Sequence, residues 1–237
     1  MSDSVERTIR GLVPGPPPVH WRLDAPSAAP ADLPLLLALH GWGQDEDVFA
    51  RLLRPLDVPP LRILLPRAPG QGGEGGASWY DYDGDQPRFR AALERCESTL
   101  LATLDAVERD AALRPRRRWL LGFSQGGYCG AWLALRHPER FAGMVIVGAR
   151  VKTEWLAEDA ARAAGMGFRA LLCHGVRDTA VPVDAAERSR DALASAGLRV
   201  ELHRFDGGHS LGRRPLRHVA DWLVAAAEDL DTRPGIG

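Results

Sequence analysis

A serine sits between an apolar run and a helical pattern in the stretch WLLGFSQGGYCG (119–130), with Gly122 and Gly126 two residues to either side of Ser124. That spacing suits a turn too tight for side chains at the flanking positions, one that presents the serine. A serine hydroxyl is a poor nucleophile near neutral pH, so it needs an adjacent base and a third group to orient that base. Two later segments supply candidates. CHGVRDTAVP (173–182) places Asp178 after one apolar run, and FDGGHSLGRRP (205–215) places His209 after another. Asp184 competes as the acid, but it stands where a helix N-cap is expected ahead of AAERSRDAL. Of the remaining histidines, His20 and His203 fall within expected strands and His137 and His218 on helices. His40 and His174 each end a buried run as His-Gly and could line the site. Attack on a carbonyl creates an oxyanion that needs two donors. The Gln125 N–H, directly after the serine, is one. The other falls to HGWGQDEDVF, where Gly41 and Gly43 let the Trp42 N–H turn inward.

These residues need a frame that brings distant segments to one place. LPLLLALHG (33–41), LRILLPRAPG (61–70), RRWLLGF (117–123), GMVIVGA (143–149) and RALLCHG (169–175) are apolar runs of strand length, as expected for strands covered on both faces. VELHRF (200–205) is a further strand, VHWRLD (19–24) an outer one, and TIRGLV a short one. Helical spacing marks 87–113, the segment after Ser124 up to about Pro138, 185–197 and 214–230. Strands separated by helices predict a mostly parallel α/β sheet with helices on both faces. Residues 1–237 are expected to form a single domain, with a polar, proline-rich lead-in over 1–18 that ends in the stiff PGPPP. GQGGEGGASWYDYDG (70–84) is expected as a flexible surface loop, with Trp79, Tyr80 and Tyr82 as candidates to line a pocket and Asp81 as an anchor. The Trp42 side chain is expected to shape that pocket too.

Composition excludes several other classes. The formal net charge of −1 gives no global attraction for nucleic acid, and the run Arg114–Arg118 reads as a solvated helix–strand connection. Cys96, Cys129 and Cys173 are too few and scattered for a disulfide framework and fit a reducing compartment. No run approaches the roughly 18 apolar residues of a membrane span, and the N-terminus lacks the apolar core of a signal peptide, so a cytoplasmic protein is expected. The histidines and acids show no metal-ligand spacing.

Taken together, LLLALHGWGQDEDVF, LLPRAP followed by SWYD, GFSQGG, HGVRDTAVP and GGHS resemble the phospholipase/carboxylesterase family of α/β hydrolases, which includes acyl-protein thioesterases. The resemblance spans roughly residues 33–212. It implies an α/β-hydrolase fold without a large cap domain and a serine esterase that needs no cofactor or metal. It also implies Ser124, Asp178 and His209 as catalytic triad, and the Trp42 and Gln125 N–H groups as oxyanion hole. The expected reaction is cleavage of carboxylic esters with small to medium acyl chains through an acyl-enzyme. A thioesterase or amide hydrolase is the alternative, and a non-catalytic binding protein ranks lower. Trp42, Trp79 and Tyr80 are the candidate substrate contacts. The expected partner is a small-molecule ester, without nucleic acid or stable membrane insertion, and a homodimer stays open. One departure concerns the substrate: GARVKTEWL stands where thioesterase-like members usually carry a Ser-Gly-x-x-Pro segment.

Overall fold

The computed structural model describes residues 7–15 and 18–231. Of the expected lead-in, residues 1–6 and Pro16 and Pro17 of PGPPP lie outside the described residues. The strands are β1 (Arg7–Val13), β2 (Val19–Ala25), β3 (Leu35–Leu39), β4 (Arg62–Pro66), β5 (Gly70–Gly72), β6 (Gly76–Ser78), β7 (Arg118–Phe123), β8 (Gly143–Val147), β9 (Arg169–Gly175) and β10 (Arg199–Phe205). The helices are α1 (Glu46–Leu53), α2 (Gln86–Asp110), α3 (Gln125–Arg136), α4 (Thr153–Gly165), α5 (Val183–Ser195) and α6 (Arg213–Asp231). Among the described residues eight strands form one sheet in the order β1-β2-β4-β3-β7-β8-β9-β10. The pairs β1–β2 and β2–β4 are antiparallel, and the rest are parallel.

The alternation of each strand divides its apolar residues between two cores. Leu35, Leu37 and Leu39 of β3 pack with Leu93 and Leu100 of α2, Trp132 of α3 and Leu193 of α5. Leu36 and Ala38 face the other way, toward Phe49 of α1 and Leu216 and Trp222 of α6. Both faces are therefore covered, which is why these strands read as continuous apolar runs rather than alternating ones. This is the α/β-hydrolase arrangement, without a large cap. The chain leaves β3 for β4 on one side, then returns to β7 on the other, so the carboxyl ends of β3 and β7 meet at a topological switch point.

Three segments differ from their expectation. The glycine-rich 70–84 stretch is not an irregular loop throughout: β5 and β6 form a small antiparallel hairpin, and Ala77 of β6 bridges to Gln44. Helix α1 arises within HGWGQDEDVF, where the Asp45 side chain caps it by accepting from the N–H groups of Asp47 and Val48 at 3.0 and 2.7 Å. Helix α4 occupies TEWLAEDAARAAG, an alanine-rich segment with too few large apolar residues to display a strong stripe. Its small buried residues, Ala160 and Ala163, let it lie close against the neighbouring helices.

Candidate active site

Ser124 lies at the end of β7 with φ 53° and ψ −119°, a conformation that residues with a Cβ seldom adopt. Its N–H donates to Val147 O of β8 at 2.9 Å, and its carbonyl accepts from the Gly127 and Tyr128 N–H groups that open α3. The two flanking glycines are required by different neighbours. A Cβ on Gly122 would fall 2.3 Å from the Gly126 carbonyl oxygen, across the elbow itself. A Cβ on Gly126 would fall 2.3 Å from Leu39 O and 2.5 Å from His40 O, so that glycine lets α3 start against the end of β3.

His209 follows β10, and Asp178 follows β9. The His209 Nε2 lies 2.8 Å from Ser124 Oγ, and its Nδ1 lies 2.8 Å from Asp178 Oδ2. A carboxylate only accepts, so Nδ1 carries the proton and Nε2 turns its lone pair to the serine hydroxyl. The Asp178 side chain is fully buried, whereas a quarter of the His209 side chain is exposed. Asp178 Oδ1 accepts from the Ala180 and Val181 N–H groups at 2.9 and 2.8 Å, which fixes the carboxylate. The histidine ring rests on Phe123, with centroids 5.2 Å apart, and passes Gly148, where a Cβ would come within 3.3 Å of it. Asp184 does not compete. It lies in the first turn of α5, whose N-cap is Pro182, and pairs on the surface with Arg188. It is therefore not the expected cap, and Asp178 is the acid that meets His209.

The opposite wall is the turn after β3. Gly41 passes so close that a Cβ on it would sit 3.3 Å from Ser124 Cβ. Three bonds hold the turn: Gly41 N–H to Gln44 Oε1 at 2.9 Å, Gly43 N–H to Ala77 O at 2.9 Å, and Ala77 N–H to Gln44 O at 2.8 Å. Among the described residues neither the Trp42 nor the Gln125 N–H has a hydrogen-bond acceptor within the chain. His40 stands behind this turn rather than lining the site. It accepts from Ala68 N–H at Nε2 (3.0 Å), and its Nδ1 donates to Gly41 O (2.8 Å). Burial pushes its pKa down to about 4, so the ring is neutral and structural. His174 likewise stands behind Asp178, bonded through Nε2 to Val181 O at 2.7 Å.

Trp79, expected to line the pocket, is only 5% exposed and packs in the core, with its Nε1–H on His40 O at 2.8 Å. Its indole supports the Trp42 turn from below. Trp42 itself is 59% exposed and reaches over Gly73 of the β5–β6 turn. Tyr80 is half-buried against Phe89, and with Trp79 it borders a cavity of about 730 Å³ between this segment and α2. The exposed Asp81 makes no hydrogen bond among the described residues; the side chain of Gln125 does the anchoring instead. Its Oε1 accepts from Trp79 N–H (3.0 Å) and Ser78 Oγ–H (3.2 Å), and its Nε2 donates to Tyr80 O (2.7 Å). Sequence reasoning missed this second task of Gln125, although its place directly after the serine was a signal.

Comparison with known proteins agrees with this geometry. The family model for phospholipase/carboxylesterase matches residues 26–226. A probable carboxylesterase SOBER1-like of Arabidopsis thaliana is 25% identical over 207 residues, covering 79% of this chain and 77% of that protein. The crystal structure of esterase PE8 superposes with a TM-score of 0.69 at 26% identity, over 86% of this chain and 99% of that one. Zea mays acyl-protein thioesterase 2 shares the fold at a TM-score of 0.67 and 20% identity, over 87% and 98%. With the family pattern running through six of the eight strands of the described sheet, this chain belongs to the phospholipase/carboxylesterase family and is an ester hydrolase of the α/β-hydrolase fold.

Proposed function

We propose that Ser124 is the nucleophile of this esterase, His209 its general base and Asp178 the group that orients the base. One observation carries the reading: an unbroken pair of 2.8 Å hydrogen bonds links a fully buried carboxylate to a serine held at positive φ. His209 Nε2 takes the Ser124 proton as Oγ bonds to the ester carbonyl carbon, and Asp178 steadies the imidazolium. The oxyanion is held by the Trp42 and Gln125 N–H groups, which have no competing acceptor within the described chain. The tetrahedral intermediate collapses, the alcohol leaves with the proton from His209, and the acyl group remains on Oγ. Water, deprotonated by the same base, then releases the acid. The substrates are small-molecule esters of small to medium acyl chains, with Trp42 and Tyr80 beside the entrance. We place the enzyme in the cytoplasm as one domain that works without nucleic acid; among the described residues no helix is long and apolar enough to cross a membrane.

Ser124→Ala should lower turnover of p-nitrophenyl butyrate by roughly a thousandfold or more and abolish covalent labelling by a fluorophosphonate. Its circular dichroism should stay native. Retained turnover with a native spectrum would remove Ser124 from the mechanism. The same steps serve a thioester, whose thiolate leaves with less help from the proton. Specificity constants for matched oxygen and sulfur esters separate the two substrate classes.

A further inference from the structure

One segment that departs from the family pattern passes directly beside the nucleophile. Val147 at the end of β8 accepts the Ser124 N–H, and Gly148 lies against the His209 ring. Two residues further on stands Arg150, with 34% of its side chain exposed. Tyr128 follows Ser124 by one turn of α3 and so lies on the same side of that helix. Arg150 faces the Tyr128 hydroxyl, and both side chains are partly exposed beside the site.

The charge here is not balanced. Lys152 is buried, with its ammonium 4.0 Å from the Trp155 ring centroid, and its Nζ lies 2.8 Å from both Glu154 Oε1 and Gln86 Oε1. The same Glu154 accepts from Arg150 Nη1 and Nη2 at 3.3 and 3.0 Å. Two cations thus share one carboxylate, and Gln86 is neutral. Among the described residues no other carboxylate pairs with Arg150 or Lys152. Glu154 holds the guanidinium by its two Nη groups, and the Tyr128 hydroxyl accepts from Arg150 as well. The surroundings are largely aromatic: Phe89 packs against Tyr80, Tyr82, Tyr128 and Trp155, at centroid distances of 4.8 to 6.0 Å.

We propose that Arg150, with the Tyr128 hydroxyl, is a specificity-determining subsite for an anionic group, so that the preferred esters carry a carboxylate over the start of α3. The proposal rests on the hydrolase reading above. The carboxylate belongs either to the acyl part, as in a half-ester of a dicarboxylic acid, or to the alcohol part, as in an ester of a hydroxy acid. Glu154 competes with the substrate for the same guanidinium and limits the preference.

Two substrate pairs test this. 4-Nitrophenyl hemiglutarate against 4-nitrophenyl pentanoate reads the acyl side, and 4-acetoxybenzoate against phenyl acetate reads the alcohol side. The readout is the ratio of kcat/KM, anionic over neutral, within each pair. Arg150→Gln should lower that ratio about tenfold in one pair, and Glu154→Gln should raise it several-fold in the same pair. A merely structural role for the ion pair would move both variants in one direction or leave the ratio alone. A ratio within twofold of wild type in Arg150→Gln for both pairs overturns the subsite, as does a fall in Glu154→Gln. Fluorophosphonate labelling of the wild type separates the two failures. A chain that labels at Ser124 but shows no Arg150-dependent ratio loses only the subsite; one that neither labels nor hydrolyses loses the hydrolase reading and the subsite with it.

Discussion

Ser124 holds the φ of 53° that exposes its hydroxyl at a cost the fold must absorb, because a Cβ in that region clashes with its own backbone. Two substitutions separate this cost from the chemistry. Both Ser124→Ala and Ser124→Gly lack the nucleophile, but only glycine is at ease at this φ. Ser124→Gly should therefore be more stable than Ser124→Ala by about 1 kcal/mol, read from urea denaturation. Equal stabilities would mean that the elbow stores no strain. At this scale much of the candidate site was legible. Ser124, Asp178 and His209 each follow an apolar strand, and their order along the chain is itself a signal. The burial of Trp79 was not legible, because it depends on the His40 carbonyl, a partner far away in sequence that no local pattern announces. Arg150 was hidden for the same reason, since nothing in GARVKTEWL says that Gly148 brushes the His209 ring.

Elements show where local chemistry suffices and where it does not. Helix α2 ends in a Schellman arrangement: Leu113 N–H bonds to Glu108 O at 2.8 Å and Ala112 N–H to Arg109 O at 3.2 Å. The residue that must turn left-handed there is Ala112, at φ 52°, where glycine is the usual occupant. Ala112→Gly should raise stability by roughly 0.5–1 kcal/mol, visible as a higher urea midpoint at unchanged slope. A lower midpoint would show that chain entropy outweighs the backbone relief. The long helix itself was readable from its periodicity, but its attachment was not. Glu97 accepts from Trp132 Nε1 at 2.7 Å and Arg136 Nε at 3.0 Å and lies 2.6 Å from His137 Nε2, tying α2 to the end of α3 opposite the nucleophile. Burial alone would raise the Glu97 pKa, but Arg136, His137 and Trp132 outweigh it and hold the carboxyl below its ordinary range. The β5–β6 hairpin escaped notice because each strand is three residues long and its reason for existing is Gln44. Helix α1 was not anticipated: its one local sign is the cap Asp45, inside a segment already assigned to another task.

The molecule as a whole places its working parts at the one spot where strand order reverses, and it covers both faces of the sheet to keep that spot rigid. The sheet and its two cores could be anticipated from the apolar runs; the order of strands could not, since pairing joins residues far apart in sequence. His40 makes the stability of this assembly sensitive to acid. Its folded pKa of about 4 lies below the 6.5 of the unfolded chain. Between those values the unfolded state takes up a proton that the folded state refuses, so stability is lost as pH falls, by about 3 kcal/mol across the window. From pH 7 to pH 5 wild type should lose about 2 kcal/mol more than His40→Asn does, measured by urea denaturation at both values. Equal losses would place the acid sensitivity elsewhere. A different consequence follows from Lys152, the only lysine in the sequence. Its amine is shut beneath Trp155 and gripped by Glu154 and Gln86, while every other basic side chain except histidine is a guanidinium, which stays protonated and does not act as a nucleophile. An activated acyl donor drawn to Ser124 therefore finds no lysine amine free to intercept it. Self-acylation at lysine, the slow wear that such donors inflict on lysine-coated proteins, has no exposed side-chain ammonium here to act upon.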